Sequence, residues 1–234
     1  MEINMPYFYY DWTIILLIPA IIFVSWAQIN VSSTYKKYSK IQTKRGMTGY
    51  DAARAILDAN GLSYVRIEPI KGELTDHFDP RDNVIRLSEV VYDKASAAAV
   101  GVAAHEAGHA VQYAEGYVPM KIRSAIIPAT NFGSKLAIPL VLLGVILSFP
   151  LVAFIGVILF SLSTVFQLVT LPVEFNASSR AMAALSGGGE LDTEELSSAK
   201  KVLRAAALTY VGALAMSLLN LLRVILIAGR SRRN

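Results

Sequence analysis

The sequence predicts an α+β membrane protein that is mainly helical, with about four hydrophobic segments and one small soluble part. Of its 234 residues, 54 % are hydrophobic, and the mean hydropathy of +0.45 is high for a soluble domain. The net charge of +4 is modest, and basic residues cluster beside apolar segments, which indicates membrane topology and no nucleic-acid partner. The chain has no cysteine, so a metal site must use histidine and carboxylate ligands.

The first hydrophobic segment covers residues 12–31, carries no charge and is long enough to cross a hydrocarbon core about 30 Å thick. No basic residues precede it, as they would in a cleavable signal peptide, so we expect the segment to be retained. It is followed by a basic run of Lys36, Lys37, Lys40, Lys44 and Arg45. By the positive-inside rule this side is cytoplasmic and the N-terminus lies outside.

The soluble part starts with a helix and then changes to strands. Thr48 is the predicted N-cap of a helix over residues 50–60. Residues 64–67 and 83–87 predict two strands, separated by a stretch rich in turn residues. Within that stretch, we expect residues 75–79 to form an exposed edge strand.

An H-E-x-x-H motif follows the predicted strands. The alanine-rich residues 95–114 predict a helix with Ser96 as a candidate N-cap. On such a helix His105 and His109 lie one turn apart, so both imidazoles can bind one metal ion, and Glu106 lies beside the metal as a general base. This arrangement is typical of zinc metalloproteases, where an edge strand beside the metal holds an extended peptide.

The next apolar region, residues 136–173, contains no charged residue and would be about 57 Å long as one straight helix. We therefore expect a hairpin with spans over residues 132–149 and 151–171 and a break at Ser148-Phe149-Pro150. Two crossings return the chain to the side of the H-E-x-x-H helix. Glu174, directly after the second span, is then the candidate third metal ligand at the membrane surface.

Two other residues are alternative third ligands. Glu115 occupies the position of the third histidine in metzincin-type sites, but Gln112 replaces the glycine that allows the turn. His77 would make a three-histidine site; otherwise it is a turn residue or a donor to the oxyanion of the reaction. Arg180 is a second candidate for contact with the oxyanion or the substrate, or an interfacial arginine.

The C-terminal residues 208–228 are long enough to span but contain Asn220 and Arg223. A full crossing would place the basic tail outside, against the positive-inside rule, so an interfacial or re-entrant segment is the alternative. The chain thus divides into five predicted segments: 1–34, an N-terminal transmembrane helix; 35–124, a cytoplasmic part with the H-E-x-x-H helix; 125–173, a transmembrane hairpin; 174–205, a helix with the third ligand; and 206–234, a C-terminal hydrophobic segment and basic tail.

Three stretches together, residues 72–81, 103–112 and 171–181, resemble the YugP-type bacterial membrane zinc metallopeptidases. The resemblance covers nearly the whole chain, and the plan is similar to that of the HtpX and CAAX-prenyl protease group. It implies a zinc-dependent endopeptidase in the bacterial cytoplasmic membrane with a zincin-like soluble part and a glutamate on a later helix as third ligand. In that group an acidic residue commonly follows this glutamate by four positions, where this sequence has Ser178.

The residues and the resemblance together predict a gluzincin-like endopeptidase that binds one Zn²⁺ per chain. We expect a multi-pass protein in the bacterial cytoplasmic membrane with its site facing the cytoplasm. The expected partners are the lipid bilayer and protein or peptide substrates, and the oligomeric state is not indicated. The alternatives are a catalytically silent metal-binding scaffold and a zinc hydrolase of a non-peptide substrate. An intramembrane protease fits less well, because charged and strand-like residues flank the motif.

Overall fold

The computed structural model describes residues 12–230. Within that range a 3-10 turn over Trp12–Leu17 precedes six α-helices and three strands. In chain order these are α1 (Ile18–Tyr38), α2 (Gly49–Ala59), β1 (Arg66–Ile70), β2 (His77–Asp79), β3 (Val84–Ser88), α3 (Ala97–Ala114), α4 (Val118–Ile146), α5 (Pro150–Gly188) and α6 (Thr193–Arg230).

Among residues 12–230, four helices are long and apolar enough to cross a membrane: α1 with the turn before it, α4, α5 and α6. Of these, α5 packs against both α4 and α6, while α1 packs against α6. Gly156 of α5 lies against Val141 of α4, and the absence of a side chain allows this close approach. The chain turns between α4 and α5 at residues 147–149, with Ser148 at a φ of 55°. The predicted fold class and the position of the hairpin break are confirmed.

The membrane helices are longer than the sequence predicted. Rather than ending at residue 171, α5 continues through Pro172 to Gly188, so Glu174 lies inside a helix and not at the start of one. Neighbouring helices help membrane helices tolerate an internal proline, which explains why Pro172 does not end the helix. The predicted boundary between residues 173 and 174 therefore falls within a helix.

A predicted segment boundary also falls inside helix α6. This helix runs without a break from Thr193 through the predicted boundary between residues 205 and 206. Its far end reaches the start of α5, because Ile225 and Gly229 line a cavity together with Pro150. The helix thus extends along the apolar length of α5, which favours a full crossing over a re-entrant segment. The basic tail at residues 231–234 lies outside the described residues.

The soluble part is a three-stranded sheet with two helices. The strand order is β1-β3-β2, with β1 parallel and β2 antiparallel to the central β3. The first strand begins at Arg66, two residues later than predicted. Thr48 caps α2 as predicted, because its side chain accepts from Asp51 N and the Asp51 carboxylate accepts from Thr48 N. Ser96 caps α3 by accepting from Ala99 N.

The H-E-x-x-H helix α3 is the centre of the soluble core. It packs against α2, the sheet, α5 and the first turns of α6, and most of its side chains are buried. The membrane helix α1 is tied to this core by Tyr35, whose hydroxyl donates to Val90 O over 2.7 Å. The soluble part therefore packs directly against the membrane bundle.

Candidate metal centre

His105, His109 and Glu174 meet where α3 crosses α5. Glu174 Oε2 lies 3.2 Å from His105 Nε2 and 3.4 Å from His109 Nε2. One ligand atom from each residue lies within 4.8 Å of the other two. The Glu174 side chain is only 2 % exposed, so a carboxylate is held out of water between two imidazoles. Burial on this scale requires a positive partner for the carboxylate.

A glycine in the motif allows the two helices to come this close. A Cβ at Gly108 would lie 2.7 Å from the carbonyl oxygen of Ala177 on α5. That oxygen belongs to the backbone and cannot move aside as a flexible side chain would. Gly108 therefore has a structural role within the motif, since it sets the distance between the two histidines on α3 and the glutamate on α5.

Each imidazole is oriented through its other nitrogen. His109 Nδ1 lies 3.0 Å from Gln112 Oε1. The Gln112 amide nitrogen donates to Val173 O and Asn176 Oδ1, so its oxygen is left to accept from His109 Nδ1–H. His109 Nε2 then keeps a free lone pair when the ring is neutral, which is the form that binds a metal.

His105 has a comparable partner in Ser178, whose Oγ lies 3.1 Å from Nδ1. Ser178 follows Glu174 by four positions and lies on the same face of α5, one turn further on. The serine thus occupies the place of the acidic residue of the HtpX and CAAX-prenyl protease group and contacts a histidine of the cluster.

The cluster matches the requirements of zinc. Two imidazole nitrogens and one carboxylate oxygen leave a fourth tetrahedral position open, as in catalytic zinc sites. Ligand atoms about 2.0–2.1 Å from a tetrahedral ion lie roughly 3.3–3.4 Å apart, and the two nitrogen–oxygen distances are 3.2 and 3.4 Å. Burial lowers the pKa of His109, but Glu174 and Glu106 outweigh it and hold the pKa above its usual value. The electrostatics of the site therefore favour a cation.

Glu106 lies between this cluster and the edge strand. Its Oε2 accepts a hydrogen bond of 3.0 Å from Phe78 N on β2. Because β2 pairs with β3 along one edge only, its other edge is free of strand partners within the described residues, and the Phe78 N–H reaches Glu106 on α3. The expected edge strand at residues 75–79 thus forms over His77–Asp79, and its backbone reaches the predicted general base.

The loop before β2 is fastened to the central strand. Asp76 Oδ1 accepts from Ser88 N over 2.7 Å, and the Ser88 hydroxyl also donates to this carboxylate. Burial raises the pKa of Asp76, and the hydrogen bonds from Ser88 oppose this only in part. These bonds keep the edge strand in register beside Glu106.

Two residues that sequence reasoning assigned no role in the site also contact Glu174. Arg123 Nη1 of α4 lies 3.4 Å from Glu174 Oε1, the carboxylate oxygen that does not face the histidines. The Tyr210 side chain of α6 lies close to the same carboxylate. Arg123 is one of the basic residues beside the apolar segments, and an arginine in such a position needs a partner. No sequence signal pointed to Tyr210.

The family model described as "Putative neutral zinc metallopeptidase" matches residues 13–229. The chain belongs to this family. It is also 48 % identical over 214 residues to a protein of Bacillus subtilis (strain 168) named "Putative membrane protease YugP", which covers 92 % of this chain and 95 % of that protein. No solved structure matches. The resemblance to YugP-type proteins is confirmed, and the family implies zinc as the metal.

The other candidate site residues of this family member, Arg180, Glu115 and His77, lie outside the ligand cluster. Arg180 forms an ion pair of 2.6 Å with Glu115, the alternative third ligand. This contact holds the pKa of the Glu115 carboxyl below its usual range. Arg180 Nε also donates to Asn176 Oδ1, the acceptor that positions Gln112. His77 contacts Thr75 O through Nδ1 over 2.8 Å. The roles of His77 and Arg180 in contacting the oxyanion or the substrate stay predictions.

Proposed function

We propose that this chain is a membrane-bound zinc endopeptidase that hydrolyses peptide bonds of proteins close to the cytoplasmic membrane surface. The observation that carries the proposal is the convergence of His105, His109 and Glu174 beside Glu106 and a free strand edge. A purely structural metal site needs no carboxylate next to it, so Glu106 favours a hydrolase over a silent scaffold. One Zn²⁺ per chain completes the site.

In the proposed reaction, bound zinc supplies Lewis acidity towards the scissile carbonyl and the attacking water. Glu106 accepts the proton of that water and passes it to the leaving amine. Gln112 and Ser178 keep the two imidazoles aligned throughout. Arg123 holds the second oxygen of Glu174, so that the first faces the histidines.

The strand β2 supports a peptide as the substrate. A peptide that lies extended along the free edge of β2 forms main-chain hydrogen bonds and passes beside Glu106. The Phe78 N–H that now contacts Glu106 is a donor on this edge. A substrate main chain competes for it, so engagement of the strand frees the carboxylate for proton transfer.

The position of Glu174 supports substrates at the membrane. It lies two residues after Pro172 on a helix that carries no charged residue from its start to Val173. We propose that the substrates are membrane proteins or unfolded segments brought to the cytoplasmic face of the bacterial membrane. The basic residues after α1, including Lys36 and Lys37, support this orientation.

The first experiment compares zinc content and cleavage of a denatured protein for the detergent-purified wild type, Glu106→Gln and Glu174→Ala. We expect Glu106→Gln to keep zinc and lose cleavage, and Glu174→Ala to lose both. Glu115→Gln is the matched control, because it changes an exposed glutamate that pairs with Arg180 outside the cluster. Metal retained in Glu174→Ala would refute the ligand assignment, and zinc binding without cleavage would favour the scaffold or a non-peptide hydrolase.

The orientation of the soluble part relative to the membrane is tested separately by cysteine labelling. The chain has no native cysteine, so only the introduced cysteine can react. Leu147→Cys in the hairpin turn and Ser63→Cys in the soluble part are each exposed to a membrane-impermeant maleimide on intact cells. We expect Leu147→Cys to react at once and Ser63→Cys only after permeabilisation. The reverse pattern would place the site on the outer face.

A further inference from the structure

A groove of about 660 Å³ lies between α5 and α6, on the side of α5 that carries Ser178 and Ser179. Nothing in the proposed reaction uses it, although Ser178 lines it and also contacts His105. The wall on α6 includes Lys200 and Arg204 and ends at Val211. The groove therefore extends from the soluble part towards the membrane-spanning part of both helices.

The polarity of the groove changes along its length. Lys200 and Arg204 lie at the end near the soluble part, whereas Leu208 and Val211 continue towards the span. On α5, which runs in the opposite direction, Phe175 lines the same apolar end. The distance from Lys200 to Val211 along the helix is about 16 Å. This length suits a charged head group followed by the first part of an acyl chain.

The groove is positively charged, and no acidic side chain among the described residues lines it. Its lining contains two cations and two serine hydroxyls and no carboxylate. Both Lys200 and Arg204 are exposed, and neither forms an ion pair with any carboxylate in residues 12–230. The neighbouring Lys201 differs, since its Nζ lies over the Tyr38 ring at 5.5 Å. The two groove cations are thus available to an external anion.

We propose that this groove binds one anionic phospholipid. Its phosphate lies between Lys200 and Arg204 with Ser179 as a further donor, and one acyl chain lies along Phe175 and Val211. A soluble anion has no use for the apolar half of the groove, whereas a phospholipid matches both halves and is present at this depth. Binding of the lipid requires neither zinc nor peptide cleavage, so this inference stands apart from the proposed function.

The test is native mass spectrometry of the full-length protein in detergent, with phosphatidylglycerol or phosphatidylcholine of identical acyl chains added. We expect one retained phosphatidylglycerol and roughly tenfold less phosphatidylcholine. The variant Lys200→Gln/Arg204→Gln should lower retention of phosphatidylglycerol to the level of phosphatidylcholine. The control Lys36→Gln/Lys201→Gln removes the same charge outside the groove and should behave as the wild type. Equal losses in both variants, or no lipid preference, would overturn the proposal.

A second variant tests the apolar half of the groove. It keeps the lipid proposal testable if Lys200→Gln/Arg204→Gln does not fold. Ala207→Phe fills the groove and leaves both cations in place, so it should reduce retention of both lipids. A thermal unfolding midpoint in detergent equal to that of the wild type shows that the variant is folded. Retention equal to the wild type would mean that no acyl chain lies in the groove. Displacement of the lipid by excess inorganic phosphate would identify a free-anion site instead, and either result refutes the proposal.

Discussion

The substitution Gly108→Ala tests whether the distance between α3 and α5 sets the metal centre. The added Cβ would lie 2.7 Å from Ala177 O, where ordinary contact begins at 3.4 Å. The helices must therefore separate by about 0.7 Å, whereas metal sites tolerate deviations of about 0.2 Å in ligand distance. Overpacking of this kind costs about 1–3 kcal/mol. Because zinc holds the two helices at their close distance, this overpacking cost opposes zinc binding, and zinc affinity decreases roughly 10- to 100-fold.

Competition with a chromophoric chelator measures this zinc affinity, and thermal unfolding in detergent measures stability. The matched controls are Gly187→Ala on α5, where an added Cβ meets nothing within 4 Å, and Gly101→Ala on α3, where it meets Ala199 Cβ at 3.2 Å. We expect Gly187→Ala to match the wild type and Gly101→Ala to lower stability without the large loss of zinc affinity. Wild-type zinc affinity in Gly108→Ala would refute the view that this contact sets the ligand geometry.

Two further predictions concern residues that support the site. Gln112→Leu leaves His109 Nδ1–H without its partner, so zinc affinity should fall about 10- to 100-fold with the fold retained; an unchanged affinity in the chelator assay would contradict this. Asp76 has a raised pKa in the folded state, so its contribution to stability is greatest below its ordinary value of 3.8 and declines as the pH rises above it. Relative to Asp76→Asn, the wild type should therefore lose melting temperature from about pH 4 upwards; a difference that does not change with pH would show that the pKa is not raised.

The sequence was sufficient for those parts of the site that follow from local periodicity. His105, Glu106 and His109 lie within one turn of a helix, so their mutual arrangement depends on helix geometry alone. Glu174 needed one further step, the number of membrane crossings, which followed from the length of an uncharged run. The capping residues Thr48 and Ser96 were also predictable, because each accepts from a backbone N–H three residues away.

The partners of the ligands were harder to predict because they depend on tertiary contacts. Arg123 and Tyr210 reach Glu174 from two different helices, and nothing in their local sequence specifies that direction. Gln112 was weighed only as a replacement for a glycine, although its position three residues after His109 puts it on the same face of α3. The second span of the hairpin was ended at residue 171, whereas α5 continues through Pro172 to Gly188, because the contacts that hold this extension come from α3 and are not visible in the local sequence.

The continuity of α5 explains how the metal site is fixed relative to the membrane. Pro172 removes one backbone hydrogen bond of this helix, so the helix is weakest just before Glu174. The segment beyond it is held by α3 through the close contact of Gly108 with Ala177, and by the contact of Ser178 with His105. A metal ion held by His105, His109 and Glu174 would add a further link between the same two helices, directly after the proline. The bound metal is therefore also expected to fasten α5 to α3 next to the point where the backbone alone provides least stiffness.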